Sequence, residues 1–109
     1  MNADEIRNYV LEKDDVTESF PFGENVLVFK TKGKIFLLLS LNEKAIIFNV
    51  KCDPNKAVEL REEYPDIIIP GYHMNKKHWN TVYSLLICKS LLLEMINDSY
   101  NLVAKKTKK

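Results

Sequence analysis

The chain of 109 residues is 46% apolar and 28% charged, and its net charge is only +1. Its length favours one domain, over residues 1–109, with one modest core, and its composition excludes a disordered, fibrous or strongly basic protein. The longest apolar run, Ile35–Leu39, is far shorter than the roughly 20 residues that cross a bilayer, so we expect no membrane partner.

The N-terminal segment predicts a helix rather than a secretory signal. Acidic residues stand where a signal peptide has basic ones, and no apolar segment follows, so we expect a cytoplasmic protein. Asn2 and Glu5 have the spacing of a capping box, and apolar residues at helical spacing follow, which predicts a helix over about residues 3–13. Residues 14–25 contain a proline and a glycine and break this period, so we expect an irregular turn there.

Three β-rich runs follow and predict an antiparallel meander. They are Val26–Thr31, Ile35–Leu41 and Ala45–Lys51. Gly33 lies in the short link between the first two runs, where a tight hairpin needs a positive φ angle. The middle run is apolar on both faces, which is typical of a central strand.

The second half of the chain predicts two more helices and two more strands. Asp53 and Pro54 stand in the favoured order for a helix start, N-cap and then first helical residue. Strands are predicted over Ile67–Ile69 and His78–Tyr83, and a last helix over about Lys89–Ala104. The predicted fold is α+β in two layers, with the order α-β-β-β-α-β-β-α. Three helices cover one face of a five-stranded antiparallel sheet, the other face stays partly open, and residues 105–109 form a flexible basic tail.

Several motifs in fixed order give the chain a family resemblance. They are FPFGENVLVFK (20–30), GKIF (33–36), KCDP (51–54), LREEYPDIIIPGYHMNKKHWNTV (60–82) and SYNLV (99–103). Together they resemble the MmcQ/YjbR family across almost the whole chain. The resemblance implies the same order of helices and strands, in a fold related to secretion-chaperone-like and frataxin-like (CyaY-like) folds, and a double-wing DNA-binding role.

One segment departs from the family pattern. Relatives carry a polar turn and a proline before the last helix, whereas this chain has YSLLICK over residues 83–89. Leu85, Leu86 and Ile87 therefore stand where polar groups are expected. We predict that they are buried differently or form a homodimer contact, with the open sheet face as the other candidate dimer surface.

Charge segregation indicates where an anionic partner would bind. The net charge is −5 over residues 1–24, +4 over 25–56, −3 over 57–66 and +5 over 67–109. Such blocks can give the domain a basic face that attracts nucleic acid, and DNA is the partner we predict. A loop supplies lysines for phosphates and amide, imidazole and indole groups for bases or backbone, and the hairpin supplies a second wing. The predicted nucleic-acid-binding residues are Lys32, Lys34, His73, Asn75, Lys76, Lys77 and Trp79.

Other interpretations of the same residues stay open. Trp79 can be a core residue, and Lys76 and Lys77 can be solvated, or can bind a small anion or an acidic protein surface. A protein-interaction adaptor that uses the open sheet face is the main alternative function.

Metal and enzyme chemistry are less favoured. A metal site would combine His73, His78, Cys52 and Asp53, but their spacing does not form a close pair of ligands. Catalysis would need Cys52 beside His73 or His78, with the dipole of the following helix lowering the pKa of the thiol. We expect neither catalysis nor a cofactor.

Overall fold

A computed structural model describes residues 3–41, 46–71, 75–83 and 87–105. The described residues form three helices and six strands. Their order is the predicted one, except that one of the six strands, near the N-terminus, was not predicted. The elements are α1 (Ala3–Leu11), β1 (Val16–Ser19), β2 (Val26–Thr31), β3 (Lys34–Leu41), β4 (Ile46–Lys51), α2 (Pro54–Glu63), β5 (Ile68–Pro70), β6 (Trp79–Tyr83) and α3 (Lys89–Lys105). Lys105 ends α3, and the rest of the predicted basic tail lies outside the described residues, as does Asn2 of the predicted capping box.

The six strands form one antiparallel sheet in the order β1-β2-β3-β4-β6-β5. The prediction of five strands was therefore wrong by one, because β1 occupies part of the segment predicted to be an irregular turn. β1 is an edge strand of only four residues with a single aliphatic side chain, Val16. Its pairing depends on distant partners, namely β2 and the ion pair between Arg7 and Glu18. Such short edges are common because they expose few unpaired backbone groups.

The β2–β3 hairpin turns on two residues with positive φ, Lys32 at 54° and Gly33 at 79°. This is a type I′ turn, whose twist matches that of the flanking strands, and it confirms the role predicted for Gly33. The register shifts between Phe29 and Lys30. This bulge leaves Phe36 and Leu37 both fully buried although they are consecutive in β3.

The helices bury their apolar residues against one face of the sheet. Ile6 and Val10 of α1, Leu60 of α2 and Leu92 and Ile96 of α3 belong to a single buried cluster. The sheet contributes alternate residues to this cluster: Leu27, Phe29, Leu37, Leu39, Phe48, Val50 and Val82. Val28 and Leu38 alternate with these residues on the opposite face, where no described helix packs. The two-layer arrangement is thus as predicted, but Val28 and Leu38 are only 0% and 7% exposed, so the centre of the second face is not open to solvent.

The start of α2 is also as predicted. Asp53 is the N-cap, and its carboxylate accepts hydrogen bonds from the backbone N–H groups of Asn55 (3.1 Å) and Lys56 (3.3 Å). Pro54 occupies the first helical position, where its missing N–H costs no hydrogen bond. Within the described ranges, no helix has the length and hydropathy needed to span a membrane.

Candidate functional site

The two predicted basic segments lie at the same end of the sheet. β3 begins at Lys34 directly after the hairpin turn, and Leu37 of β3 pairs with Val50 of β4. Lys51, one residue further along β4, pairs with Trp79 at the start of β6. The antiparallel register therefore places the hairpin turn and the loop before β6 at the same end of the sheet, with the end of β4 between them. We call the lysines of these two segments, Lys32, Lys34, Lys76 and Lys77, the basic end.

The four lysines of the basic end are exposed and unpaired. Their side chains form no ion pair with any other residue that the structure describes. Other cations differ in this respect, since Arg7 contacts Glu18 at 2.6 Å and Lys56 contacts both Glu94 (3.1 Å) and Asp98 (3.0 Å). Hydrogen bonds from Lys56 to these carboxylates raise the pKa of Lys56. The charges of the basic end are thus available to an external anion.

Acidic residues lie beside the basic end without neutralising it. Asp14 and Asp15 form the turn before β1, and the Thr31 hydroxyl donates to the backbone carbonyl of Asp14 at 3.5 Å. The Tyr100 hydroxyl donates to the same carbonyl at 2.7 Å. The ammonium group of Lys13 lies 5.1 Å from the centre of the Tyr100 ring. The charges of Asp14 and Asp15 are therefore on the β1 side of this end, with three strands between β1 and β6. Asp53 is nearer to the loop, since it lines a cavity with His78, but its carboxylate accepts the backbone N–H groups at the start of α2.

Arg61 of α2 holds the loop that carries Lys76 and Lys77. Its Nε donates to the side-chain oxygen of Asn80 at 2.7 Å, and one terminal nitrogen donates to the backbone carbonyls of Lys76 and of Trp79, the latter at 3.2 Å. The rigid fork of a guanidinium suits such multiple acceptors. The contact was not predicted from the sequence, although an arginine in the apolar stripe of α2 was a usable indication.

The loop is further shaped by its own residues. The side-chain oxygen of Asn75 accepts from the backbone N–H of Lys77 at 3.0 Å, and the N–H of His78 donates to the carbonyl of Asn75 at 3.1 Å. This is an Asx turn, a local conformation that an asparagine side chain stabilises. Asn75 was predicted as a binding residue, and its side-chain oxygen has a structural role. His73, another predicted binding residue, lies outside the described residues.

Trp79 is half-buried and does not belong to the main core cluster. It alternates along β6 with Asn80, which is fully buried on the helix side, so Trp79 lies on the opposite face. The N–H of Gly71 donates to the carbonyl of Trp79 at 2.8 Å. A Cβ atom on Gly71 would lie 2.7 Å from the Cβ of Trp79. Glycine is therefore required for β5 and β6 to approach each other here.

Cys52 is poorly suited to nucleophilic chemistry. It lines an open cavity of about 350 Å³ together with Lys51, Asp53, Pro54, His78 and Leu102. Burial raises the pKa of the Cys52 thiol to about 11. The expectation that the dipole of α2 lowers this pKa was wrong, because desolvation of the thiolate outweighs the effect of the helix end. His78 contacts Cys52 through its backbone, whose carbonyl accepts from the Cys52 N–H at 2.7 Å.

Part of the disfavoured metal site and part of the predicted dimer contact lie among the described residues. Over 3–41, 46–71, 75–83 and 87–105, no three His, Cys, Asp or Glu side chains come together as metal ligands. Ile87 is half-buried and packs against the core cluster, which agrees with the predicted alternative that this segment is buried differently, and the homodimer contact stays a prediction. Leu85 and Leu86, the other two residues of that contact, lie outside the described residues.

Comparisons with known proteins agree on one family. The family model described as YjbR matches residues 11–102. The YbdF protein of Escherichia coli O157:H7 is 46% identical over 98 residues, which cover 89% of this chain and 80% of that protein. The YjbR protein of Escherichia coli K12 is 28% identical over 83 residues, which cover 76% and 70% respectively.

Solved structures share the fold. A crystal structure of a Deinococcus radiodurans protein with the domain DUF419 matches with a TM-score of 0.92 and 36% identity, over 99% of this chain and 82% of that chain. A crystal structure of a Pseudomonas syringae protein matches with a TM-score of 0.77 and 25% identity, over 94% and 99% respectively.

Proposed function

The chain belongs to the YjbR family, and from that premise we propose that it is a non-catalytic nucleic-acid-binding domain that holds DNA phosphates at the basic end. The observation that carries the proposal is the presence of four exposed lysines, unpaired among the described residues, on two segments at the same end of the sheet. Lysines that pair with phosphates release counterions from the nucleic acid, and this release supplies most of the sequence-independent affinity.

The separation of the two segments suits a duplex. The hairpin joins β2 and β3, and the loop that carries Lys76 and Lys77 leads into β6, with β4 between them. At about 4.8 Å per strand, the two segments are roughly 10–14 Å apart. This distance is close to the roughly 12 Å width of the major groove of B-DNA. Lysines on the two segments can therefore contact phosphates on either side of a groove.

The construction of the loop also supports the proposal. Arg61 donates to two backbone carbonyls of the loop, and Asn75 closes an Asx turn within it. A loop that is held in one conformation loses less entropy when a ligand binds. Lys32 is held in a left-handed conformation that a non-glycine residue adopts at a cost. Such strained positions occur most often at functional sites.

The test is a titration of fluorescently labelled duplex DNA with three proteins at low and at moderate salt. The proteins are the wild type, the double variant Lys76→Glu/Lys77→Glu, and the control Lys89→Glu. Lys89 is exposed at the first residue of α3 and lies 13 residues, or about 20 Å, along the helix from Leu102, which lines the cavity at the basic end. We expect the double variant to lose most of the affinity and the control to keep it.

Two outcomes would contradict the proposal. One is an absence of binding by the wild type at low salt. The other is an equal loss of affinity in the double variant and in Lys89→Glu, since this would mean that only the net charge matters. Circular dichroism of all three proteins checks that the substitutions leave the fold intact.

A further inference from the structure

The sheet face opposite the helices carries two aromatic rings on one strand. Trp79 and Tyr83 of β6 are partly exposed, and Thr81 lies between them. These three residues alternate with Asn80 and Val82, which are fully buried on the helix side. Trp79 and Tyr83 are four residues apart, or about 13 Å along the strand. Trp79 is only two residues after Lys77, so the Trp79 ring is next to the basic end and the Tyr83 ring is further from it.

The same face carries an amide on the neighbouring strand and a lysine three strands away. Asn49 of β4 pairs with Thr81 in register, and the Thr81 hydroxyl donates to the side-chain oxygen of Asn49, which orients the amide. Lys30 of β2 follows the core residue Phe29 and is therefore also on this face, where it is half-buried. Val28 and Leu38 of this face are buried, so its exposed part consists of half-buried rings, an amide and a lysine. This is not the continuous exposed apolar patch that a second protein or a helix usually covers.

This combination fits one ligand chemistry. Bases stack on aromatic side chains and form hydrogen bonds with amides, while lysines pair with the phosphates between them. The two faces of a base are available for stacking only when it is outside a duplex. We infer that the domain takes single-stranded nucleic acid across this face, with phosphates held at the basic end and bases stacked on Trp79 and Tyr83. The inference rests on the proposed function and specifies the form of nucleic acid that binds best.

The chain contains a built-in reporter for this test, because Trp79 is its single tryptophan. Trp79 fluorescence is recorded while the wild type is titrated with a thymidine oligonucleotide of about 12 nucleotides, a length within the range that small single-strand-binding domains cover. A blunt duplex of the same length is titrated in parallel. We expect the single strand to quench the fluorescence strongly and to bind more tightly than the duplex.

Variants then separate stacking from charge. Tyr83→Leu should weaken single-strand binding about tenfold because one stacking contact is lost, whereas duplex binding should not change. Tyr83→Phe keeps the ring and should bind as the wild type does. Lys76→Gln/Lys77→Gln should weaken the binding of both ligands.

The outcomes distinguish the two proposals. If the duplex binds through Lys76 and Lys77 but the single strand gives neither quenching nor tighter binding, this inference is overturned and the proposed function stands. An unchanged single-strand affinity in a folded Tyr83→Leu protein also overturns it. If neither ligand binds, the proposed function fails as well. Should Tyr83→Leu not fold, the quenching of the wild type and its preference for the single strand decide the question alone.

Discussion

Arg61 of α2 and Asn80 of β6 are joined by a hydrogen bond of 2.7 Å from Nε to the side-chain oxygen, and Asn80 is fully buried. The same guanidinium donates to the backbone carbonyls of Lys76 and Trp79. The second helix thus connects the buried layer between helices and sheet to the loop that carries the exposed lysines. The position of that loop therefore depends on Arg61, which is not part of the loop.

The first prediction concerns this connection. Arg61→Ala leaves the buried oxygen of Asn80 without its donor, which should lower the free energy of unfolding by about 2 kcal/mol. Arg61→Lys keeps the charge but loses the planar fork, so it should recover only part of this stability and of the DNA affinity. Urea denaturation and DNA titration measure the two effects. Wild-type behaviour of Arg61→Lys in both assays would show that charge alone is sufficient.

The second prediction is a salt dependence. Four phosphate contacts to duplex DNA should give a slope of about −3.6 in a plot of log affinity against log salt concentration. Lys76→Gln/Lys77→Gln removes two contacts and should reduce the slope to about −1.8. Lys89→Gln is the control and should leave the slope unchanged. A slope in the double variant equal to that of the wild type would exclude both lysines from the contact.

The third prediction separates conformation from charge at the hairpin. Lys32 has a φ of 54°, a region that asparagine tolerates better than lysine. Lys32→Asn should therefore raise the free energy of unfolding by about 0.5 kcal/mol while it weakens DNA binding. Lys34→Gln removes the neighbouring charge without this conformational gain, so it should weaken binding and leave stability nearly unchanged. A loss of stability in Lys32→Asn would contradict the assigned turn geometry.

The fourth prediction compares two glycines. Gly71→Ala places a Cβ atom 2.7 Å from the Cβ and 2.9 Å from the carbonyl oxygen of Trp79, so β5 and β6 must separate. We expect a loss of about 2–3 kcal/mol in the free energy of unfolding. At Gly33, where φ is 79°, an added Cβ atom has nothing within 4 Å, and only the backbone cost of about 1 kcal/mol applies. Thermal unfolding of both variants provides the comparison, and equal losses would contradict it.

The fifth prediction concerns the two thiols. Cys88 is exposed, and hydrogen bonds from the Leu91 backbone and the Ser90 hydroxyl lower its pKa, whereas burial raises the pKa of Cys52 to about 11. Only the thiolate is nucleophilic, so at pH 8 iodoacetamide should modify Cys88 rapidly and Cys52 only after unfolding. The rate for Cys88 should rise with pH to a plateau whose midpoint is below that of an unperturbed cysteine thiol.

Mass spectrometry after brief alkylation counts the modified thiols. Cys88→Ser should abolish the rapid reaction, and Cys52→Ser should leave it unchanged. Rapid modification of Cys52 in the folded protein would restore the reactive-thiol hypothesis.

Local patterns were sufficient to predict most of the fold. β2 has the bounds that were predicted, Val26–Thr31, and the start of α2 follows the predicted N-cap and proline. These elements are marked by alternation or by capping residues within a few positions. β1 was missed because its residues, VTES, contain little apolar surface, and its pairing depends on contacts with β2 and Arg7.

The candidate site was less predictable for a related reason. The lysines can be read from the sequence, but the register that places Lys34 and Lys76 at one end of the sheet depends on four strands. The burial that raises the pKa of Cys52 comes from residues distant in sequence, such as Leu102 beside the same cavity. The Arg61 contact joins residues 15 to 19 positions apart. Rules that consider only neighbouring residues in the sequence cannot predict such contacts.

The two outermost strands have a consequence for self-association. β1 has four residues and a half-buried glutamate tied to Arg7, and β5 has three residues and ends at Pro70, which has no N–H to donate. Either edge strand offers a second copy too few free backbone N–H and C=O groups to pair with. Fibril growth by addition of strands to the sheet is therefore disfavoured. Copies of this domain that meet are therefore expected to do so through the broad side of the sheet or through helices rather than through strand pairing.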